Sequence, residues 1–458
     1  MHFEKLEFGQ EVLRKCINLK KIQIPSFITN IGRYAFSTCT NLTEVIIPET
    51  VKSIGEFAFE SCSIKFIKIP NSISIIEAGL FSDCTELDNV EIPTSVTEIK
   101  KKAFSGCSSL KTIKIPSSVK VLGNGVFNNC TSLQTIEIPS SITKLSEGAF
   151  QGCSSLKTIK IPSSVTSIEK NCFSQCSQLE EIIISSSVTF IGNSAFKYCK
   201  SLVGIDLPSS IKKIDEYAFS NCSSLKSITI PSSVTNIEGY AFDECTSLCD
   251  VTLSSSITSL ASGIFDKCSS LTKLIIPSSV VQIGGYALSK CSSLKEIILP
   301  SSITSIKYNA FNCCSSIEKI DIPNSVETIE DNCFEGCISL KELIFPPSVK
   351  KICNTVFKDC KSLKNVSLPK SLSFLGANVF MNCSSLEKID IPSSLTSIDI
   401  GLFRNCTSLS EVSVPSSITS IKSFAFAGCT SLNQIKISSS LKDIAKNAFP
   451  EETKITLV

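Results

Sequence analysis

Apolar positions along this chain recur on one long period instead of the 3.6- or 2-residue rhythm of isolated helices and strands. Nineteen of the 24 cysteines fall in a single register: Cys16, Cys39, Cys62, Cys84, and from there every 23 residues to Cys429. The one irregular step, 22 residues from Cys62 to Cys84, comes from a missing Ser: Cys62-Ser63-Ile64-Lys65 stands where Cys107-Ser108-Ser109-Leu110-Lys111 stands elsewhere. The unit from Cys107 to Cys130 displays the roles of its positions. Leu110, Ile113 and Ile115 predict a short strand whose last two apolar residues alternate, and Pro116, lacking an amide proton, ends it. Ser117 and Ser118 predict a corner, after which Val119 and Leu122 bring apolar atoms back inside. Val126, Phe127 and Cys130 are spaced for one short helical or 3-10 turn.

Two slots scarcely vary. The residue fifteen after Cys is always Ile or Leu, as at Ile31, Ile54 and Ile99, with Ile76 one place earlier after the deletion. The slot three before Cys recurs nineteen times from Phe36 to Phe449, the last without its Cys, and holds Phe in eighteen, the exception being Leu288. A unit of this size cannot enclose its own core, so neighbouring units must cover it. The expected fold class is an α/β repeat solenoid: a curved array with one parallel sheet, one short strand per 23-residue turn, and short helical or 3-10 turns on the opposite face. We expect a single solenoid over 1–458, with an N-terminal half repeat at 1–18, about nineteen repeats over 19–449 and a partial strand at 450–458. In the half repeat Phe3, Leu6 and Phe8 copy the strand pattern ahead of Leu13 and Cys16. Ile455 to Val458 predict a last strand, and with no polar capping module after it the expectation is either a truncated chain or an edge that meets another chain by end-to-end self-association.

The consensus L-x-x-I-x-I-P-x-S-V-x-x-I-x-x-x-A-F-x-x-C resembles the repeat of BspA-like leucine-rich repeat proteins over essentially the whole chain. Ala58-Phe59 with Cys62 and Ala218-Phe219 with Cys222 show the recurrence. Ordinary leucine-rich repeats carry Asn where this chain has Ser118; Ser holds that slot in seventeen of nineteen units, with Phe27 and Thr50 the departures. These serines predict a ladder whose hydroxyls satisfy corner backbone groups of the next turn. The resemblance implies adhesion or host-surface contact for many relatives, and intracellular roles for others.

Composition narrows the chemistry. Lys and Arg total 44 against 42 Asp and Glu, a formal charge of +2, without the basic excess of a nucleic-acid-binding protein. His2 is the single histidine, so no internal imidazole exists to activate a thiol, and no enzyme activity, cofactor or metal is expected. Cys172/Cys176 and Cys333/Cys337 place sulfurs four residues apart, but zinc wants four ligands and no other ligand joins either pair. The ladder cysteines are expected to be reduced and buried. Cys172 and Cys333 replace the usual Ala, Cys353 replaces a Gly, and Cys249 and Cys313 are the expected exposed thiols. The sequons at Asn41, Asn129, Asn221, Asn365, Asn382 and Asn405 matter only for an exported chain. No apolar run reaches the roughly 20 residues of a membrane helix, so no membrane insertion is expected. The start, Met1 to Phe8, does not read as a signal peptide. A cytoplasmic location is expected, with the cell surface as the alternative.

Partner choice falls to the positions that vary. Glu91, Lys114, Glu137 and Lys160 occupy one outward strand position in successive turns and predict lateral ion pairs on a self-compensating face. Glu180, Glu181 and Asp206 then form an acidic break. Ile275 and Ile298 in adjacent turns, and Ile344 two turns on beyond Asp321, place apolar groups in that same column. These six residues are the candidate contacts of a non-catalytic scaffold that binds a protein or peptide partner. A surface adhesin-like antigen and a self-associating structural rod are the alternative readings.

Overall fold

The computed structural model describes residues 7–458; His2, Phe3 and Leu6 lie outside the described residues. The chain divides into two compact units, Met1–Leu225 and Lys226–Val458, and each is a parallel-strand solenoid. In the first, Thr112–Lys114 pairs in parallel with Thr135–Glu137, placing Ile113 beside Ile136. In the second, Lys273–Ile275 pairs with Glu296–Ile298, placing Leu274 beside Ile297. The middle residue of each strand is buried and its two neighbours face water. Alternation at period 2 imposes this on any strand with one covered face. The strand predicted after Phe449 is present as Lys454–Leu457, paired with Gln434–Ile437.

A second, shorter ladder runs beside the first. Val121–Leu122 pairs with Glu98–Ile99, which pairs with Ile75–Ile76. The Ile/Leu slot fifteen residues after Cys is the inward residue of this ladder, which explains why only a γ- or β-branched aliphatic occurs there. Phe8 belongs to this ladder and not to the longer strand: Glu7–Phe8 pairs with Asn30–Ile31, so Phe8 fills the slot that Ile31 fills one turn later.

The segment opposite the strands corrects the sequence reading, because no helix of either kind forms among the described residues. Between Gly123 and Cys130 the amide protons divide their acceptors. Those of Val126, Asn128 and Cys130 donate to carbonyls three residues back, at Gly123, Gly125 and Phe127. Those of Gly125, Phe127 and Asn129 donate across to Glu147, Ala149 and Gln151 of the next turn at 2.7 to 2.9 Å. Every second donor therefore serves the neighbouring turn, and a helix would withdraw it. The alternation requires left-handed backbone at Gly125 (φ 61°) and Asn129 (φ 58°), five and one residues before Cys130. Gly and Asn adopt that region at least cost.

Inside each unit the Phe slot forms a column. From Phe36 to Phe219, consecutive rings lie 5.2 to 5.8 Å apart with planes within 17° of parallel. In the second unit the column runs from Phe311 to Phe449 at 5.0 to 5.8 Å. This offset stacking adds to the apolar burial. Leu288 is fully buried between the Phe265 and Phe311 turns.

Two side-chain ladders complete the backbone accounting. The buried ladder Cys Sγ donates to the carbonyl of the Phe-slot residue in the preceding turn, as from Cys130 to Phe104 and from Cys222 to Phe196 at 3.1 and 3.2 Å, and to Leu13 and Leu288 where those fill the slot. That carbonyl otherwise takes only the amide of its own turn's Cys, so the thiol supplies its second donor. The corner serines reach back in the same way: Ser118 donates to Val96 at 2.7 Å and Ser394 to Leu372 at 2.6 Å. The Ser ladder exists as the sequence predicts, but it serves the preceding turn and not the next.

Phe196, buried and stacked on both sides, and exposed Lys114 test this packing. Phe196→Ala is expected to destabilise the protein by about 3–5 kcal/mol and Lys114→Ala by less than about 0.5 kcal/mol. Denaturant melts of the two variants measure this, and equal shifts would contradict the slot assignment.

Candidate interaction surface

The strand face presents outward positions in register, and their chemistry varies from turn to turn while the inward ones do not. Ile275 and Ile298 sit directly opposite one another in a parallel pair, 69% and 79% exposed. With Lys273, Glu296 and Pro300 they line one shallow depression. Ile344, 66% exposed, stands opposite Ser367 and lines a different depression with Asn365 and Lys388. Asp321 lies between the two and is held by Lys319 at 3.3 Å. The structure thus joins Ile275 to Ile298 and keeps Ile344 apart.

The acidic residues separate as well. Glu181 opens the strand Glu181–Ile183 opposite Thr158, and Glu180 precedes it, both exposed. Asp206 is exposed in the next turn outside any strand, in the column of Ile183 and not of Glu181. The predicted lateral pairs are absent: among the described residues Glu91, Lys114, Glu137 and Lys160 form no ion pair. Their outward side chains are exposed, where a surface pair gains at most about 1 kcal/mol against the entropy of holding two long chains. Pairing of this kind occurs instead between Lys21 and Glu44 at 2.6 Å and between Lys388 and Glu411 at 3.2 Å, at the first residues of their strands.

Three outward apolar residues escape the sequence reading: Ile46, Ile183 and Phe66 are 49%, 51% and 45% exposed. Ile46 and Phe66 line one depression with Lys65 and Lys68. Counting back by whole repeats from Ile275 reaches Ile183 and Ile46, so the column that revealed Ile275 contained them also.

The thiols offer no nucleophile in the interior. Burial pushes Cys130 and Cys222 up to about 12, against an ordinary value of 9.0, and the backbone bond offsets only part of that. Cys249 is exposed, while Cys313, Cys353 and Cys16 are half-buried. Cys172 and Cys333 are buried where other turns have Ala. Among the described residues no group of three or more His, Cys, Asp or Glu is placed to hold a metal ion. No helix among them is long and apolar enough to cross a membrane.

A solenoid of 23-residue turns with stacked Phe and an outward-varying strand face defines a leucine-rich repeat protein. The BspA type leucine rich repeat region, a model of six copies, matches residues 7–133, 97–226, 212–341 and 327–456, and the chain belongs to that family. Proteins of this type are generally non-catalytic interaction scaffolds. Among solved structures, a leucine-rich repeat protein from Bacteroides ovatus is 28% identical, with 100% of this chain and 96% of that one covered and a TM-score of 0.48. A leucine rich cell surface protein from Faecalibacterium prausnitzii is 24% identical, covering 86% of this chain and 87% of its own, with a TM-score of 0.37. The leucine-rich repeat protein of T. pallidum is 26% identical over 38% of this chain and 71% of its own, with a TM-score of 0.28. No curated protein matches.

The thiol ladder sets a pH dependence. An unfolded thiol ionises near its ordinary value of about 9, whereas Cys130 and Cys222 stay protonated in the fold to about 12. Below the unfolded value both states hold the proton and stability is fully present. Above it the unfolded chain binds fewer protons, so stability falls as pH rises toward the folded value. Melting temperatures are expected to be level up to about pH 8 and to drop steadily above about pH 9. A level profile to about pH 11 would show that the thiols are not held protonated by the fold.

Proposed function

We propose that the chain is a non-catalytic scaffold that binds a protein or peptide partner through its strand face, with Ile275 and Ile298 as the centre of contact. The observation that carries this reading is their pairing: two large aliphatic side chains, more than two-thirds exposed, held side by side by a fixed parallel register. Strand preference accounts for an isoleucine in this column but not for its standing in water, where its burial by a partner would contribute about 1.5–3 kcal/mol per residue. The backbone beneath is locked by buried Leu274 and Ile297, so binding requires little reorganisation there. Lys273 and Glu296 flank the pair, exposed and without an ion pair among the described residues, as rim charges that orient a partner. Ile344 serves as a separate apolar contact, and Glu180, Glu181 and Asp206 as polar contacts on the first unit.

Affinity capture with the wild type, with Ile275→Lys/Ile298→Lys, and with the remote control Lys370→Ala tests the placement. The double variant is expected to lose the partners that the wild type and the control both retain, with unchanged melting temperature. Retention of the same partners by the double variant would remove the site from this pair.

A further inference from the structure

A second surface, on the first unit, carries different chemistry. A groove of about 1020 Å³ is lined by Thr112, Lys114, Thr135, Glu137, Thr158 and Lys160, and ends at Glu181, which stands opposite Thr158. Parallel pairing sets Thr112 beside Thr135 and Lys114 beside Glu137, and Thr158–Lys160 continues both rows in the following turn. At roughly 4.8 Å between neighbouring strands, the Lys–Glu–Lys row spans about 10 Å. Ile113, Ile136 and Ile159 are buried beneath it, so the positions from which these charges project are fixed.

Lys114, Glu137 and Lys160 have no ion pair among the described residues, and the hydroxyls of Thr112, Thr135 and Thr158 have no hydrogen bond there. Lys21 and Glu44 close on each other at 2.6 Å on the same unit at the first strand position, the one that the threonines hold in the groove. The groove therefore displays solvated charge of alternating sign, held by no ion pair, beside a row of free hydroxyls that ends at Glu181.

We propose that this groove binds an extended protein segment in which a basic residue stands between two acidic ones, facing Lys160, Glu137 and Lys114. The central carboxylate decides the class of partner. A nucleic acid or a sulfated glycan would bring negative charge over Glu137 as well as over the lysines, whereas a segment of mixed sign meets each position with its opposite. Same-side residues of an extended chain recur about every 6.7 Å, and the long side chains on both partners take up the difference from the strand spacing. The threonine hydroxyls, each able to donate and accept, meet the segment's backbone. This surface is independent of the isoleucine pair and goes beyond it by specifying the partner's charge order.

The test is a titration of the full chain with a fluorescein-labelled peptide, Ser-Glu-Ser-Lys-Ser-Glu-Ser, read by anisotropy. An all-Glu counterpart and an oligothymidylate of similar length are run beside it. The mixed peptide is expected to bind saturably and more weakly as salt rises, since exposed charges are screened within about 8 Å at physiological ionic strength. Lys114→Glu/Lys160→Glu is expected to weaken it about tenfold or more. Glu137→Lys is expected to weaken the mixed peptide and strengthen the all-Glu one, a crossing that a change in folding would not produce. Ile275→Lys/Ile298→Lys is expected to leave all three probes unchanged, which separates failure here from failure at the isoleucine site. No saturation by the mixed peptide below about 1 mM, or charge reversal without effect, would overturn the proposal. Equal or tighter binding of the all-Glu peptide or the oligothymidylate by the wild type would overturn it too, and would assign the groove to polyanions.

Discussion

The whole structure depends on one constraint: no turn of this chain owns a core. A Phe such as Phe127 is buried only because Phe104 and Phe150 lie against its two faces. The same dependence holds for polar groups. The carbonyl of Phe104 receives a thiol from one turn later, and the amide of Phe127 donates to Ala149 of the turn after its own. Where cover is lacking, burial is lost: Ile444 and Phe449 fill the Ile/Leu and Phe slots of their turn, yet Ile444 is exposed and Phe449 only half-buried.

That constraint explains the division between positions that repeat and positions that vary. An inward residue must satisfy two neighbours at once, so Phe, Ile, Leu and the ladder Cys recur almost without change. An outward residue touches water and imposes nothing on the stack. Ile275 and Lys114 thus occupy the same position in different turns without altering the backbone that carries them.

Much of this was legible in the sequence because it is periodic. The cysteine register located every turn, the Phe and Ile/Leu slots named the core, and Ser118 and its equivalents gave the corner ladder. The remainder was hidden where a decision depends on a neighbour. Val126, Phe127 and Cys130 have helical spacing, but the amides of Gly125 and Asn129 had a better offer from the next turn, and spacing along one chain cannot register that. The Gly and Asn at those two places were the available signal, since left-handed backbone favours them. The alternating charges of Lys114 and Glu137 looked like partners on paper; solvation keeps them apart. On the candidate surface the column logic found Ile275 and Ile298 and would have found Ile183 and Ile46 had it been carried back to the start. It could not tell that Ile344 lines a separate depression.

The 22-residue turn after Cys62 shows where this architecture is permissive. Ile64 is fully buried in the place that Leu110 takes in a full-length unit, Cys84 still reaches Phe59 at 3.0 Å, and Ser63 keeps an exterior bond to Thr40. One residue has gone from the bend between thiol and strand; the thiol and corner-serine bonds keep step, while strand pairing is interrupted across this turn, between Glu44–Ile46 and Phe66–Lys68 and between Ser53–Ile54 and Ile75–Ile76. That bend is the seam of the array: slack can be let in or taken out there while the stacked rings on either side hold their places, so growth and trimming of the loop are tolerated at a point that a same-sized change beside Phe59 would not allow.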